Sequence, residues 1–211
     1  MIAKAKPCFT TLLKRYHRLP EDEQLILQVL SVIYEPINQT TLQAVLRELE
    51  WTSRKGAPLA SLMIKPLREK LIRQGLILLD KKNALRCHPE IVESLIRKAV
   101  SQEIFSDIDD AKDIAVPLGI NQFDHYGIPD ESRELRQIRS ALYRGKTQEV
   151  LNLLLICNTC APGDDYYLPD PLYKICTHPL DLEWIRNLPD EINPPLLSGV
   201  LMAIKSAYPV R

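Results

Sequence analysis

Three amphipathic runs in succession, closed by two short extended runs around a polar turn, set the limits on how residues 21 to 88 can fold. The first run, Glu21 to Tyr34 (EDEQLILQVLSVIY), places Leu25, Ile26, Val29, Leu30, Val32 and Ile33 on a broad stripe near the 3.6-residue period. Pro20 and the acids Glu21, Asp22 and Glu23 suit a first helical turn, and Pro36 ends the run because it supplies no amide donor. The second run, Gln39 to Leu49, repeats Leu42, Val45, Leu46 and Leu49 on one face, with Asn38 or Thr40 as its cap. A loop, WTSRKGAP (51 to 58), leads to the third run, about Leu59 to Gln74, in which Pro66 interrupts the helix or restarts it. Gly75 is a natural stop. The extended runs LILLD (76 to 80) and ALRCH (84 to 88) flank the turn KKN and predict a hairpin. His88-Pro89-Glu90 then opens a further helix over 89 to 104.

Three helices followed by a hairpin is the order of a winged helix, a fold whose third helix can lie in a DNA groove while the hairpin touches the backbone. The charges agree with that reading. Arg54 and Lys55 precede the third helix, Lys65, Arg68, Lys70 and Arg73 lie on it, and Lys81, Lys82 and Arg86 lie on the hairpin. Lys65, Arg68 and Arg73 fall near one another opposite the apolar stripe, with Glu69 beside them. Lys and Arg hold phosphates, whereas base readout calls for Asn, Gln, Arg or Ser along the exposed face, so the pattern predicts grip on duplex nucleic acid without sequence preference. The competing reading is a solvated basic face on a module that only packs against protein.

Beyond this region the pattern changes. Residues 105 to 128 are acidic and irregular, a junction with room for one short helix. Asp107, Asp109, Asp110 and Asp113 lack the glycine and terminal glutamate of a calcium loop, so a solvated acidic segment is expected there. From residue 129 onward, ESRELRQIRSALYRG and KTQEVLNLLLICN read as two helices joined at Gly145, a helical hairpin. The proline-bounded pieces PDPLYKIC, HPLDLEWIRNLP and PDEINPPLLSGVLMAIKSAY read as further short helices, repeat-like but without a fixed period. The expected class is therefore mainly α: a winged-helix domain with a basic N-terminal arm (1–104), the junction (105–128) and a helical-hairpin, superhelical repeat-like domain (129–211).

Net charge is zero, but it is unevenly divided: residues 1 to 100 hold 17 basic and 10 acidic side chains, and residues 101 to 211 hold 10 and 17. A basic half facing a polyanion accounts for the split, as does attraction between the halves. No apolar run reaches the ~18 residues of a membrane span, and the basic N-terminus lacks the apolar core of a signal peptide. A cytoplasmic protein with its five cysteines as thiols is expected. Cys157, Cys160, Cys176 and His178 have zinc-ligand chemistry but no zinc-knuckle glycine, and buried thiols and helix-starting histidines are the preferred reading. No phosphate-binding glycine loop or hydrolase signature is present, and the neighbours Asp124, His125 and Tyr126 do not converge as acid–base groups. No catalytic residue, cofactor or small-molecule substrate is expected.

The stretches LILQVLSVIYEPINQTTL, KPLREKLIRQGLI, RCHPEIVESLIRKAV and SALYRGKTQEVLNLL together resemble the N-terminal, non-motor region of bacterial Swi/Snf-type DEAD/DEAH-box helicases, over most of residues 19 to 206. The most distinctive pieces are SVIYEP (31 to 36) and RCHPEIVE (86 to 93). The resemblance implies an accessory region that places nucleic acid or a partner beside an ATPase motor. The chain itself carries no Walker or DEAH motif, so it implies an N-terminal fragment or a stand-alone relative that does not hydrolyse ATP. The alternative is a protein-interaction scaffold whose helical repeats bind a partner, an arrangement that also resembles regulatory parts of STAND-class ATPases.

Overall fold

A computed structural model describes residues 8–52, 56–58, 64–115, 131–160 and 171–207. The chain is mainly helical, with one small two-stranded antiparallel sheet, and divides into two compact units, Met1–Leu118 and Gly119–Arg211.

The first unit opens with α1 (Phe9–His17), a helix where the sequence suggested only a basic arm. Leu12 and Tyr16 lie one turn apart and are fully buried, which anchors α1 to the core. α2 (Glu21–Ile33) buries every residue from Ile26 to Ile33 and packs on α5, α6 and the hairpin. It is the centre of the unit, and each large aliphatic side chain it buries contributes about 1.5–3 kcal/mol. α3 (Gln39–Glu48) starts at Asn38, whose side chain accepts from the Thr41 amide at 2.8 Å.

Between α2 and α3, Ile37 bonds twice to Leu85, its amide to the Leu85 carbonyl at 2.9 Å and its carbonyl to the Leu85 amide at 2.7 Å. One residue thus adds a single rung on the other edge of β2. α4 (Ile64–Arg73) has Pro66 within its first turn, where a missing amide costs no helical bond. Residues 59 to 63, the predicted start of this helix, lie outside the described residues. Gly75, at φ 72°, closes α4 with amide bonds from Leu76 to Leu71 and from Gly75 to Ile72, an end that favours glycine.

β1 (Ile77–Leu79) and β2 (Leu85–Cys87) pair Ile77 with Cys87, Leu78 with Arg86 and Leu79 with Leu85. Leu85 and Cys87 point inward and Arg86 outward, as strand alternation requires. α5 (Pro89–Ser101) begins at His88, whose ring nitrogen accepts from the Glu90 amide. It ends at Ser101, three residues short of the predicted residue 104, and Glu103 beyond it takes the left-handed conformation. α6 (Phe105–Ala115) follows at once and packs on α2, α3 and α5. The first part of the expected acidic junction is therefore part of the first unit, with Phe105, Ile108 and Ala111 buried.

In the second unit, α7 (Glu131–Tyr143) and α8 (Thr147–Cys160) pack on each other across Gly145. Gly145, at φ 69°, allows the Lys146 amide to reach the Ala141 carbonyl. α9 (Pro171–Thr177), α10 (Leu182–Arg186), a 3₁₀ turn (Asp190–Ile192) and α11 (Asn193–Ala207) complete the unit. α7 packs on α9, and α9 packs on α11. Tyr143 meets Trp184 of α10 with ring centroids 5.4 Å apart. No described helix is long and apolar enough to cross a membrane.

Candidate nucleic-acid interface

The hairpin tip is built by one carboxylate. Asp80 Oδ1 accepts from the amides of Lys82 at 2.8 Å and Ala84 at 2.7 Å, and the backbones of Asp80 and Ala84 bond across the loop at 3.0 Å. Asn83 takes the left-handed conformation, φ 60°, which asparagine tolerates and a three-residue hairpin loop requires. Lys81 and Lys82 are consequently held at the exposed apex, and Arg86 projects from the outer face of β2. None of these three side chains has a hydrogen bond or ion pair among the described residues.

The face of α4 is less suited to nucleic acid. Among its described side chains Pro66, Glu69 and Arg73 are exposed, so a carboxylate sits on the surface that a DNA groove would meet. Lys70 is committed to Glu23 of α2, with Nζ 2.6 and 2.7 Å from the two carboxylate oxygens. Arg68 is half-buried, and its Nε is enclosed without a hydrogen-bond partner. Arg73 is exposed, with Nε 3.3 Å from the Glu69 carbonyl. Lys65 lies in the first turn of α4, but its side chain is outside the described residues, as are Arg54 and Lys55. Of the nine cations singled out from sequence, the structure thus places Lys81, Lys82 and Arg86 on the hairpin and leaves Arg73 exposed on α4.

Sequence reasoning did not single out the cations of α1. Arg15 donates from Nη1 to the Gln74 carbonyl at 2.5 Å, which fastens the end of α1 to the end of α4. Lys14, His17 and Arg18 are exposed beside it. Two helix C-termini meet there, and cations at C-termini offset the negative dipole ends, so this cluster has a structural use. The 3.6-residue spacing of Phe9, Leu12, Leu13 and Tyr16 is the signal that identifies this helix.

The remaining candidates do not assemble a reactive centre among the described residues. No group of three metal-ligating side chains occurs there. Cys176 is fully buried, His178 is exposed with Nδ1 2.8 Å from Thr177 Oγ1, and the side chains of Cys157 and Cys160 lie outside the described residues. Asp124, His125 and Tyr126 also lie outside them. On α6 the acids divide: Asp107, Asp110 and Asp113 are exposed, whereas Asp109 is buried and bonded to Lys112.

Two thiols of the first unit have opposite characters. Cys8 is exposed, and bonding to the Thr11 side chain and amide holds its pKa below the usual 9.0. Burial pushes the Cys87 thiol up to about 12 against a smaller opposing effect from Ser31. Alkylation of the native chain at neutral pH is expected to modify Cys8 and to spare Cys87 and Cys176 until denaturant is added, as read by peptide mass mapping. Modification of native Cys87 at the rate of Cys8 would contradict the buried position. The raised Cys87 value also has a stability consequence. Its contribution is complete below the ordinary thiol value of 9.0 and is lost as pH rises from there towards about 12.

Comparison of the chain with protein-family models, with curated proteins and with solved structures finds no match.

Proposed function

We propose that the first unit is a winged helix that holds duplex nucleic acid by its phosphate backbone, and that the chain is a non-catalytic accessory region of a helicase-like ATPase. The observation that carries this reading is the hairpin: Lys81 and Lys82 stand exposed on a turn held by Asp80, and Arg86 on the outer face of β2, and none of the three side chains forms an ion pair among the described residues. Positioned cations of this kind bind phosphate oxygens and release condensed counterions. The helix order α2, α3, α4 and then the hairpin, with the Ile37 rung between α2 and α3, supports the winged-helix assignment. Glu69 and Pro66 on the exposed face of α4 argue for backbone contact over base readout. The motor setting comes from the family resemblance of SVIYEP and RCHPEIVE.

A fluorescence-anisotropy titration with two duplexes of unrelated sequence tests the reading. Both are expected to bind alike, with log K falling linearly in log salt by about 0.9 for each phosphate neutralised. No binding at low salt would overturn it.

The same titration tests the turn. Asp80→Ala removes a negative charge from a cationic hairpin, so charge alone predicts tighter binding. If the carboxylate instead organises the tip, affinity falls about three- to tenfold, the scale of a lost hydrogen bond near 1 kcal/mol. Asp80→Asn keeps the acceptor and is expected to bind at least as tightly as wild type. Tighter binding by Asp80→Ala would remove Asp80 from the argument.

A second reading, a protein-interaction scaffold, draws on the second unit. Leu155, Ile156, Leu180, Leu182, Leu197, Leu201, Met202 and Ile204 are all exposed there, against Leu79 and Ile114 in the first unit. Exposed apolar surface of this extent marks an interaction face.

A further inference from the structure

The first twenty residues carry five lysines and arginines and no acidic residue. The last three of the five, Lys14, Arg15 and Arg18, stand at the C-terminal end of α1. Arg15 bonds to the Gln74 carbonyl and so ties α1 to α4. Lys14 and Arg18 are exposed, on the side of α1 away from the buried Leu12 and Tyr16. Their side chains form no hydrogen bond or ion pair among the described residues. They therefore contribute nothing to the tie that Arg15 makes. Four residues apart on a helix, their Cβ atoms stand about 5–6 Å from each other, and like charges at that spacing destabilise the helix. Arg15 and Arg18, three residues apart, make a second like-charge pair. The next acids along the chain are Glu21, Asp22 and Glu23 of α2. Glu23 is taken by Lys70, and neither Glu21 nor Asp22 forms an ion pair with Lys14 or Arg18. An anion laid along this face relieves the repulsion.

We propose that Lys14 and Arg18 form a second phosphate-binding point, which holds the same duplex as the hairpin at a separate stretch of its backbone. The inference rests on the duplex-binding reading and adds to it residues on a different element. The bond from Arg15 to Gln74 fixes where this point lies relative to the hairpin. Lys81 follows Gln74 by seven residues, a span of at most ~25 Å even when fully extended. One duplex turn is ~34 Å long. A single turn is therefore long enough to reach both points. Lysine and arginine on flexible stems position a backbone without reading bases, in keeping with the hairpin cations. Glu21 and Asp22, just beyond Arg18, keep the positive surface short, so two phosphates are its expected footprint.

Anisotropy titration of the full chain with a duplex of about two turns, over a salt series, tests the proposal. Lys14→Ala with Arg18→Ala is expected to lower affinity roughly tenfold at moderate salt and the salt slope by about 2. Its thermal midpoint is expected to hold or rise, because alanine favours helix and the like charges are gone. A purely structural role predicts the reverse, a lower midpoint with unchanged binding, and that result overturns the proposal. Wild-type binding that is weakened by Lys81→Glu with Lys82→Glu, yet unchanged by the α1 double variant, overturns the second point alone. A wild type that binds no duplex at low salt overturns both this point and the reading beneath it. Binding to phosphatidylserine vesicles in place of duplex, lost in the α1 double variant, assigns the face to a lipid surface and overturns the proposal as well.

Discussion

Reversing both charges at the hairpin apex, Lys81→Glu with Lys82→Glu, is expected to lower duplex affinity roughly ten- to a hundredfold at moderate salt and to reduce the salt slope by about 2, one for each phosphate that the apex no longer neutralises. The substitutions do not disturb the fold. Both side chains are exposed, and the turn uses only the backbone of Lys82, through its amide to Asp80. Asn83 keeps the left-handed position and the Ile77–Cys87 pairing is unaffected. The drop in affinity should therefore come without a change in thermal midpoint, and the salt series separates the missing phosphate grip from a general weakening. Unchanged affinity in the double variant would remove the hairpin from the interface. The contrast on α4 sharpens the test, because Lys70→Glu would break the bond to Glu23 and confound binding with stability.

The largest stability effect is expected inside α6. Lys112 and Asp109 form an ion pair with side chains 2% and 1% exposed, and Asp113 lies 3.4 Å from the same ammonium but at the surface. Both charges have been taken out of water, and each is tolerated because the other is present. Removing Asp109 leaves the buried Lys112 ammonium with only the exposed Asp113 carboxylate beside it, so the cost is expected to approach, without exceeding, the ~3–5 kcal/mol of a broken buried pair. Asp109→Ala should therefore lower the urea midpoint of the full chain sharply. Replacing both, as Asp109→Leu with Lys112→Met, restores an apolar filling of similar volume and is expected to return stability to within about 1 kcal/mol of wild type or above it. A single variant as stable as wild type would mean that water or another group reaches the pair.

This pair also explains where the sequence was hard to interpret. The segment FSDIDDAKDIA looks like a solvated acidic stretch, because four of its residues are aspartates and its one lysine suggests exposure. Burial of Lys112 and Asp109 is a tertiary fact, set by α2 and α3 closing over α6, and no local pattern encodes it. By contrast α2, α3, α5, α7 and α8 follow from apolar periodicity and from end signals such as Asn38, His88-Pro89 and Gly145, all of which act within a few residues. Their limits agree with expectation to within three residues. The Ile37 rung was invisible for the opposite reason: a single residue in EPIN has no period, and its partner lies far along the chain. At the candidate interface, the charges of Lys81, Lys82 and Arg86 were evident from sequence. The withdrawal of Lys70 by Glu23 and the half-burial of Arg68 were not, since both depend on where α2 lies against α4.

That single rung at Ile37 alters how the hairpin behaves in time. A two-stranded hairpin in water is marginal and opens readily by itself. Here the rung nearest the turn, Leu79–Leu85, is stitched through Leu85 to the segment joining α2 and α3, beside the core around α2. The root of the turn is therefore expected to open with the whole unit rather than by local fraying. The hairpin is in effect a finger gripped at the knuckle nearest its tip, so the turn keeps a constant bearing relative to the segment between α2 and α3.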